Sequence, residues 1–364
     1  MNSQDEKPTI LAQLGCGYWG PNLLRSFSSS RKCHVKWLAE LSPERRAYVE
    51  ENFPRTKTTA NWQEVFDDKE VDGVIIATPA STHFTLVKQA LEADKHVFVE
   101  KPLAMCVKEA DELVALAAAR RKTLMVGHTF LYNNAVQYVR DLMERGELGQ
   151  VFYFYSHRLN LGRVRSDLNA WWNLAPHDIS ILVYLMGGQL PKTVSARGMD
   201  YIQPGIEDVV FATLTWPSGV MAHIQTSWLD PGKVRKLTIV GSNKMVTYDD
   251  VSDDKIIIYN KGVDRVPSEK TPMPYDDFNK YQLIHRTGDV MIPKIDFKEP
   301  LKNESSHFIE CLRNKSVPRT GPQHARDVVA VLEAGQKSLK SGLITEVQPN
   351  QRKRERSRED EISV

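Results

Sequence analysis

The stretch Gly15-Cys16-Gly17-Tyr18-Trp19-Gly20 has G-x-G-x-x-G spacing, directly follows the apolar run Ile10–Leu14 and is followed by Pro21, a residue favoured at a helix start. The first glycine permits a tight turn, the second lets a pyrophosphate approach the backbone, and the third allows close packing of strand and helix, so the helix N-terminus faces the phosphates. This is the arrangement of a dinucleotide site, with Tyr18 and Trp19 beside it. Glu40 lies at the end of the next apolar run, where a carboxylate accepts hydrogen bonds from ribose hydroxyls and repels a 2′-phosphate. It favours NAD over NADP, although Arg45 and Arg46 stand close enough in sequence to accommodate a phosphate.

Farther along, Ala77-Thr78-Pro79 ends a buried run and is followed by His83, and Glu100-Lys101-Pro102 ends the next one. An ammonium at the carboxyl end of a parallel strand sits in the crevice where doubly wound folds bind ligands. Pro102 biases Lys101 to an extended backbone, from which the lysine can orient a hydroxyl and favour its alkoxide. A second cluster is Ala170-Trp-Trp-Asn173-Leu-Ala-Pro176-His177-Asp178. Pro176 predicts a helix beginning near itself, which places His177 in the first turn, where the partial positive charge keeps imidazole neutral and fit to act as a base. Asp178 then has the ordinary role of an acid in a first turn.

With these motifs the sequence resembles the glucose-fructose oxidoreductase / inositol dehydrogenase / MocA (Gfo/Idh/MocA) family, marked by this glycine pattern, an ATP-x-x-x-H segment and an EKP triplet, over about Ile10 to Leu343. The resemblance implies cofactor contacts from Gly15, Gly17, Tyr18, Trp19, Gly20, Glu40, Arg45, Thr78, Pro79, His83, Glu100 and Lys101. It makes Lys101 and His177 the catalytic residues, and the sequence contains no cluster of ligands that would demand a metal. The family pattern at the second cluster is Asp-x-x-x-His; here Asn173 replaces the acid, and an amide hydrogen-bonds but cannot take the proton. The start GCGYWGPNLLRSF and the segment NLAPHDIS look most like members that oxidise the C3 hydroxyl of a UDP-N-acetylhexosamine or its uronic acid, giving a 3-keto sugar for transamination. Reduction of a keto-deoxysugar nucleotide, oxidation of inositol or a free sugar, and a non-catalytic NAD-binding scaffold or sensor are the alternatives.

Cations at Arg158, Arg163, Arg165, Lys233, Arg235 and Lys236 could clamp an anionic substrate such as a nucleotide diphosphate, with Trp171, Trp172 or Tyr132 as a stacking surface and Asn133 within reach. Substrate contacts are thus assigned to Lys101, Asn133, Arg158, Arg163, Asn173, His177 and Arg235.

The elements that must position these residues are legible in the hydrophobic pattern. Short apolar runs at Ile10–Leu14, Val35–Leu41, Val71–Ala77, His96–Glu100 and Thr123–Val126 are separated by helix-like stretches such as Glu44–Asn52 and Val107–Arg120. This predicts an α/β, doubly wound parallel sheet. After Tyr132 come a helix, Ala135–Arg145, and period-two strands at Val151–Arg158, Val209–Trp216, Val220–Trp228 and Lys236–Val240, with a hairpin at Pro217-Ser218-Gly219. Helices at Glu304–Asn314 and His324–Ser341 follow. The reading is a Rossmann domain over 1–132, an α+β domain with a large open, mostly antiparallel sheet over 133–345, and a charged tail over 346–364.

In 364 residues, 48 Lys+Arg against 46 Asp+Glu leave a charge of only +2, which argues against a nucleic-acid binder. No run is long and apolar enough for a membrane span, the polar start lacks a secretory pattern, and Cys16, Cys33, Cys106 and Cys311 form no CxxC pair. A cytoplasmic enzyme is expected. Aromatic residues at Phe152, Tyr153, Phe154 and Tyr155 offer apolar surface for a homodimer or homotetramer.

Overall fold

The computed structural model describes residues 7–267 and 281–349. Among them, six strands form a parallel sheet: β1 (Thr9–Leu14), β2 (Cys33–Ala39), β3 (Lys57–Thr59), β4 (Gly73–Ile76), β5 (His96–Glu100) and β6 (Leu124–Gly127). Helices α1 (Gly20–Ser28), α2 (Pro43–Asn52), α3 (Trp62–Asp67), α4 (His83–Glu92) and α5 (Val107–Arg120) connect them. The central strands are apolar throughout because both faces are covered: Val74, Ile75 and Ile76 of β4 and Val97, Phe98 and Val99 of β5 are fully buried. The strand order β3-β2-β1-β4-β5-β6 reverses direction between β1 and β4. The crevice at such a reversal, beyond the carboxyl ends of the strands, is where open α/β sheets bind ligands.

After a turn at Thr129–Tyr132 comes α6 (Asn134–Glu144), capped by the Asn133 side chain, which accepts a hydrogen bond from the Ala135 backbone. The second sheet contains β7 (Val151–Leu159), β8 (Thr193–Met199), β9 (Val209–Thr215), β10 (Met221–Ser227), β11 (Val234–Gly241), β12 (Met245–Asp249), β13 (Ile256–Pro267), β14 (Tyr281–Met291) and β15 (Thr345–Glu346). Its order is β14-β13-β12-β11-β7-β10-β9-β8-β15, and every pair is antiparallel except β7 with β10. Gly219, at φ +86°, closes the predicted hairpin between β9 and β10.

Helix α7 (Ala170–Leu185) packs on β7, β9 and β10, and α9 (Pro322–Ser341) lies between α7, β8 and α5. Helix α8 (Pro300–Asn314) packs on α1. These last two helices therefore join the sheets: Arg326 of α9 pairs with Asp111 of α5, and the Ser26 and Ser305 hydroxyls meet at 2.8 Å between α1 and α8. The chain order of the two predicted domains understates this, since segments after 300 help build the nucleotide half. Glu346 pairs in β15 and Val347 is buried, so the first residues assigned to the charged tail belong to the sheet; 350–364 lie outside the described residues. The face of the second sheet away from α7 stays open, with Tyr153, Phe211 and Met221 exposed, whereas Phe154 points inward and is buried.

Candidate active site

Both halves contribute to one cavity of about 1470 Å³. On the nucleotide side, Gly15 has φ +89°, and a Cβ there would stand 2.7 Å from the Ala77 carbonyl oxygen, across the gap between β1 and β4. Gly20 is held as tightly, with the Gly15 carbonyl oxygen 2.8 Å from its would-be Cβ. Gly17 instead has open space at that position and lines the cavity. An open backbone between two crowded glycines fits a pyrophosphate over the start of α1.

Glu40 accepts hydrogen bonds from the Cys16 backbone at 2.6 Å and the Ser42 backbone at 3.0 Å, with the Arg45 guanidinium 3.8 Å away. The bonds fix the carboxylate at the cavity edge while leaving it lone pairs for ribose hydroxyls. Thr78 and Pro79 line the next stretch. His83 is buried with Nδ1 2.7 Å from the Pro102 carbonyl and Nε2 3.0 Å from that of Thr78, so it ties the two strand-end loops together. Tyr18 is exposed and carries Arg163 over its ring at 5.7 Å, which brings the glycine turn against the second domain.

Lys101 and His177 come together as predicted, but by a different local structure. Helix α7 begins at Ala170, with the Asn169 side chain accepting from the Trp172 backbone, and Pro176 sits inside it. His177 is therefore not in the first turn. The proline has no N–H to donate and disturbs the carbonyl ladder of the preceding turn. In that turn the Asn173 carbonyl accepts a hydrogen bond from Lys101 Nζ at 2.7 Å. The backbone of Asn173, which no side-chain pattern reveals, is what holds the lysine. The cause assigned to neutral His177 also changes: burial drives its pKa well below the ordinary 6.5, followed by the nearby charges of Lys101 and Arg158. Its ring meets Phe130 edge-on at 4.9 Å, and its Nδ1 is buried without a hydrogen-bond partner. Burial also lowers the pKa of Lys101, opposed by Glu100.

Several side-chain assignments need revision. Asp178 is no first-turn acid: it forms a buried ion pair with Arg158, at 2.6 Å to Nε and 3.2 Å to the guanidinium end, and accepts from Ser156 Oγ. Arg158 still lines the cavity, stacked 4.4 Å above Phe130, but as a neutralised cation. Arg165 pairs with Asp167, and Arg235 pairs with Asp250 at 3.2 Å. Asn133 lines the cavity while its amide donates to Tyr248 and Asp250. Trp171, Trp172 and Tyr132 are buried away from the cavity: Trp171 donates to the Leu332 carbonyl, and Tyr132 meets Thr320. The aromatic floor is Phe130, shared by His177, Arg158 and Arg235. The sequence reading missed it, although its place just beyond the carboxyl end of β6 was a usable signal.

Residues 11–128 match the model of the oxidoreductase family with an NAD-binding Rossmann fold, GFO_IDH_MocA, and residues 136–247 match the GFO/IDH/MocA C-terminal domain. The chain belongs to the Gfo/Idh/MocA oxidoreductase family. Its N-terminal domain is thus an NAD-binding Rossmann domain, as the glycine turn indicated. The oxidoreductase YdgJ of Escherichia coli is 31% identical over 194 residues, 50% of this chain and 54% of YdgJ. The UDP-N-acetylglucosamine 3-dehydrogenase of Acidithiobacillus ferrooxidans is 30% identical over 54% of this chain and 61% of its own. The matches thus span between half and two thirds of these relatives. GenD2 from gentamicin A biosynthesis, solved with NAD, superposes with a TM-score of 0.78 at 20% identity, covering 96% of this chain and 99% of that one. Among the described residues no helix is long and apolar enough to cross a membrane, and no His/Cys/Asp/Glu group could hold a metal ion.

Proposed function

We propose that this Gfo/Idh/MocA member is an NAD-dependent dehydrogenase that oxidises the C3 hydroxyl of a UDP-N-acetylhexosamine or its uronic acid, in the cytoplasm. The observation that carries the reading is the convergence of Lys101 and a neutral His177, from different domains, in the cavity that also exposes Gly17. Gly15, Gly17, Gly20, Glu40, Thr78 and Pro79 would hold NAD, which when bound supplies the hydride acceptor. The protein's own residues handle the proton. His177 accepts it from the substrate hydroxyl, and the Lys101 ammonium stabilises negative charge developing on that oxygen. The Asn173 carbonyl aims the lysine, and Phe130 with the Arg158–Asp178 pair keeps the imidazole buried and in place. Without an aspartate at 173, no carboxylate there stabilises imidazolium, so the proton-accepting role rests on His177.

The charge of the wall supports an anionic substrate. Arg158, Arg165 and Arg235 each have an aspartate, while Lys101, Arg163 and Lys233 add further positive charge around the same cavity. The 3-dehydrogenase relative makes UDP-N-acetylglucosamine the first compound to try. A panel of UDP-sugars incubated with NAD should yield NADH with a UDP-N-acetylhexosamine or its uronic acid; NADH from free inositol or glucose, and none from UDP-sugars, overturns the substrate assignment. Side-by-side dissociation constants should favour NAD over NADP, because a carboxylate at the cavity edge, Glu40, would repel a 2′-phosphate. The open face around Tyr153, Phe211 and Met221 would be covered by a second copy, and light scattering should then report a dimer or tetramer.

A further inference from the structure

The chain between β14 and α8, residues 292–299, has no regular secondary structure, yet it is tied down on both sides of Phe297. Before the ring, the Asp296 carbonyl accepts a hydrogen bond from the Asn134 side chain at 2.6 Å. After it, Glu299 pairs with Arg25 of α1 at 2.7 Å. Between these ties Phe297 is 71% exposed. An apolar ring left in water on an anchored strap is a contact surface whose ordering cost is already met.

Phe297 lines two cavities at once. One is the cleft of Lys101 and His177; the other, of about 330 Å³, adjoins it and is walled by Asn134, Asp253, Ile295 and Asp296. Asn133 and Lys255 also line both cavities, so they mark the junction together with Phe297. A run of contacts leads there from the proposed base. His177 meets Phe130, Arg235 lies over the same ring at 5.8 Å and pairs with Asp250, and Asp250 accepts from Asn133 and, through its carbonyl, from Lys255 Nζ at 2.8 Å. The chemistry changes along this line. Arg235 and Lys255 place cations up to the junction, whereas Asp253 and Asp296 place carboxylates beyond it. Carboxylates repel phosphate but accept hydrogen bonds from hydroxyls and amide N–H groups.

We propose that this side cavity takes the nucleoside end of a nucleotide-linked sugar, with the base stacked on Phe297, the diphosphate at Arg235 and Lys255, and the neutral nucleoside donors bonded by Asp253 and Asp296. The inference deepens the proposed function and rests on it: the reacting sugar hydroxyl lies at Lys101 and His177, and the diphosphate spans the run of contacts from there to the junction. Every base has a π face, so an aromatic platform holds it without needing a matched hydrogen-bond pattern. Inositol or a free sugar has no group to fill this cavity. Phe297 is thus a specificity-determining residue that separates nucleotide-linked from free sugars and takes no part in the proton transfer.

The test is binding without turnover. UDP is titrated by calorimetry into protein saturated with NADH, so that the dinucleotide site is closed to it. Phe297→Ala should weaken UDP binding by about tenfold or more, and Phe297→Trp should restore it. Because the ring is exposed, the alanine variant should keep the wild-type melting temperature, and NAD affinity should stay within about twofold. Lys255→Ala should also weaken UDP, and by less at high salt. If wild type binds UDP and either alanine variant binds it equally well, the side cavity is not the nucleoside site, while the UDP-sugar reading stands. A loss of NAD affinity in Phe297→Ala with UDP affinity intact places the ring at the cofactor and overturns the inference in the same way. If the wild-type NADH complex binds no UDP, the inference and the UDP-sugar reading fail together.

Discussion

The two walls of the cleft are built by opposite means. The nucleotide wall is mostly backbone: Gly15 and Gly20 are crowded against neighbouring main chain, Gly17 is bare, and Glu40 is fixed by two backbone N–H groups. The substrate wall is mostly side chain: Lys101, His177, Phe130 and the Arg158–Asp178 pair come from four separate elements or turns. A backbone wall recognises what every dinucleotide shares, so few positions in it are free to vary. A side-chain wall can be changed residue by residue, so the proposed function assigns substrate preference to it.

That contrast can be broken by mutation. Lys101→Ala should lower kcat by about a thousandfold, within the usual range for loss of a group acting on a reacting proton or oxygen, while leaving the NAD dissociation constant within a few-fold of wild type. Stopped-flow turnover and calorimetric NAD binding separate the two effects, and a parallel loss of NAD affinity would mean that the walls are not independent. Arg158→Ala strands the buried Asp178 carboxylate and should destabilise the fold by about 3–5 kcal/mol, read from urea unfolding. Wild-type stability there would remove the pair from the framework holding Phe130. Gly15→Ala forces a side chain into φ +89° and against the Ala77 carbonyl, so NAD affinity should drop about tenfold or more and stability by over about 1 kcal/mol, with kcat at saturating NAD changed least.

A smaller effect is a pH dependence of stability. His177 has a folded pKa well below the ordinary 6.5, so in acid the unfolded chain binds a proton that the folded one refuses. Its contribution is fully present above pH 6.5 and is lost as the pH falls below that value. His177→Gln should therefore flatten the acid side of a melting-temperature profile; an unchanged slope would contradict burial as the cause of the neutral ring. The smallest effect belongs to Arg163→Ala at the rim. It should raise KM for an anionic substrate several-fold at low salt and less at high salt, with kcat unchanged.

Legibility followed the same division. The glycine turn, Glu40 and the strand boundaries around them depend on residues adjacent in sequence, and β5 and α5 were found at their observed ends, His96–Glu100 and Val107–Arg120. Pro176 shows why the other wall was harder. A proline before an apolar run reads as a helix start, yet packing of Trp171 against α9 and the Asn169 cap begin α7 six residues earlier. Asp178 looked like a helix-end acid because its partner, Arg158, lies on β7, twenty positions away in the chain. The long strands β13 and β14 and the edge strand β15 were missed, since their pairing is defined by neighbours and not by a strong pattern of their own.

The sequence by itself determined the doubly wound nucleotide half, the dinucleotide turn with its acid, and the two residues to which the proposed mechanism assigns the proton chemistry. Those features rest on backbone freedom, strand periodicity and functional groups, all properties of short segments. Tertiary structure alone decided which cations are neutralised, which aromatic ring floors the cleft, what aims Lys101, and why His177 is neutral. These depend on burial and on charges a few ångströms apart in space but distant in the chain, and local sequence does not encode such distances.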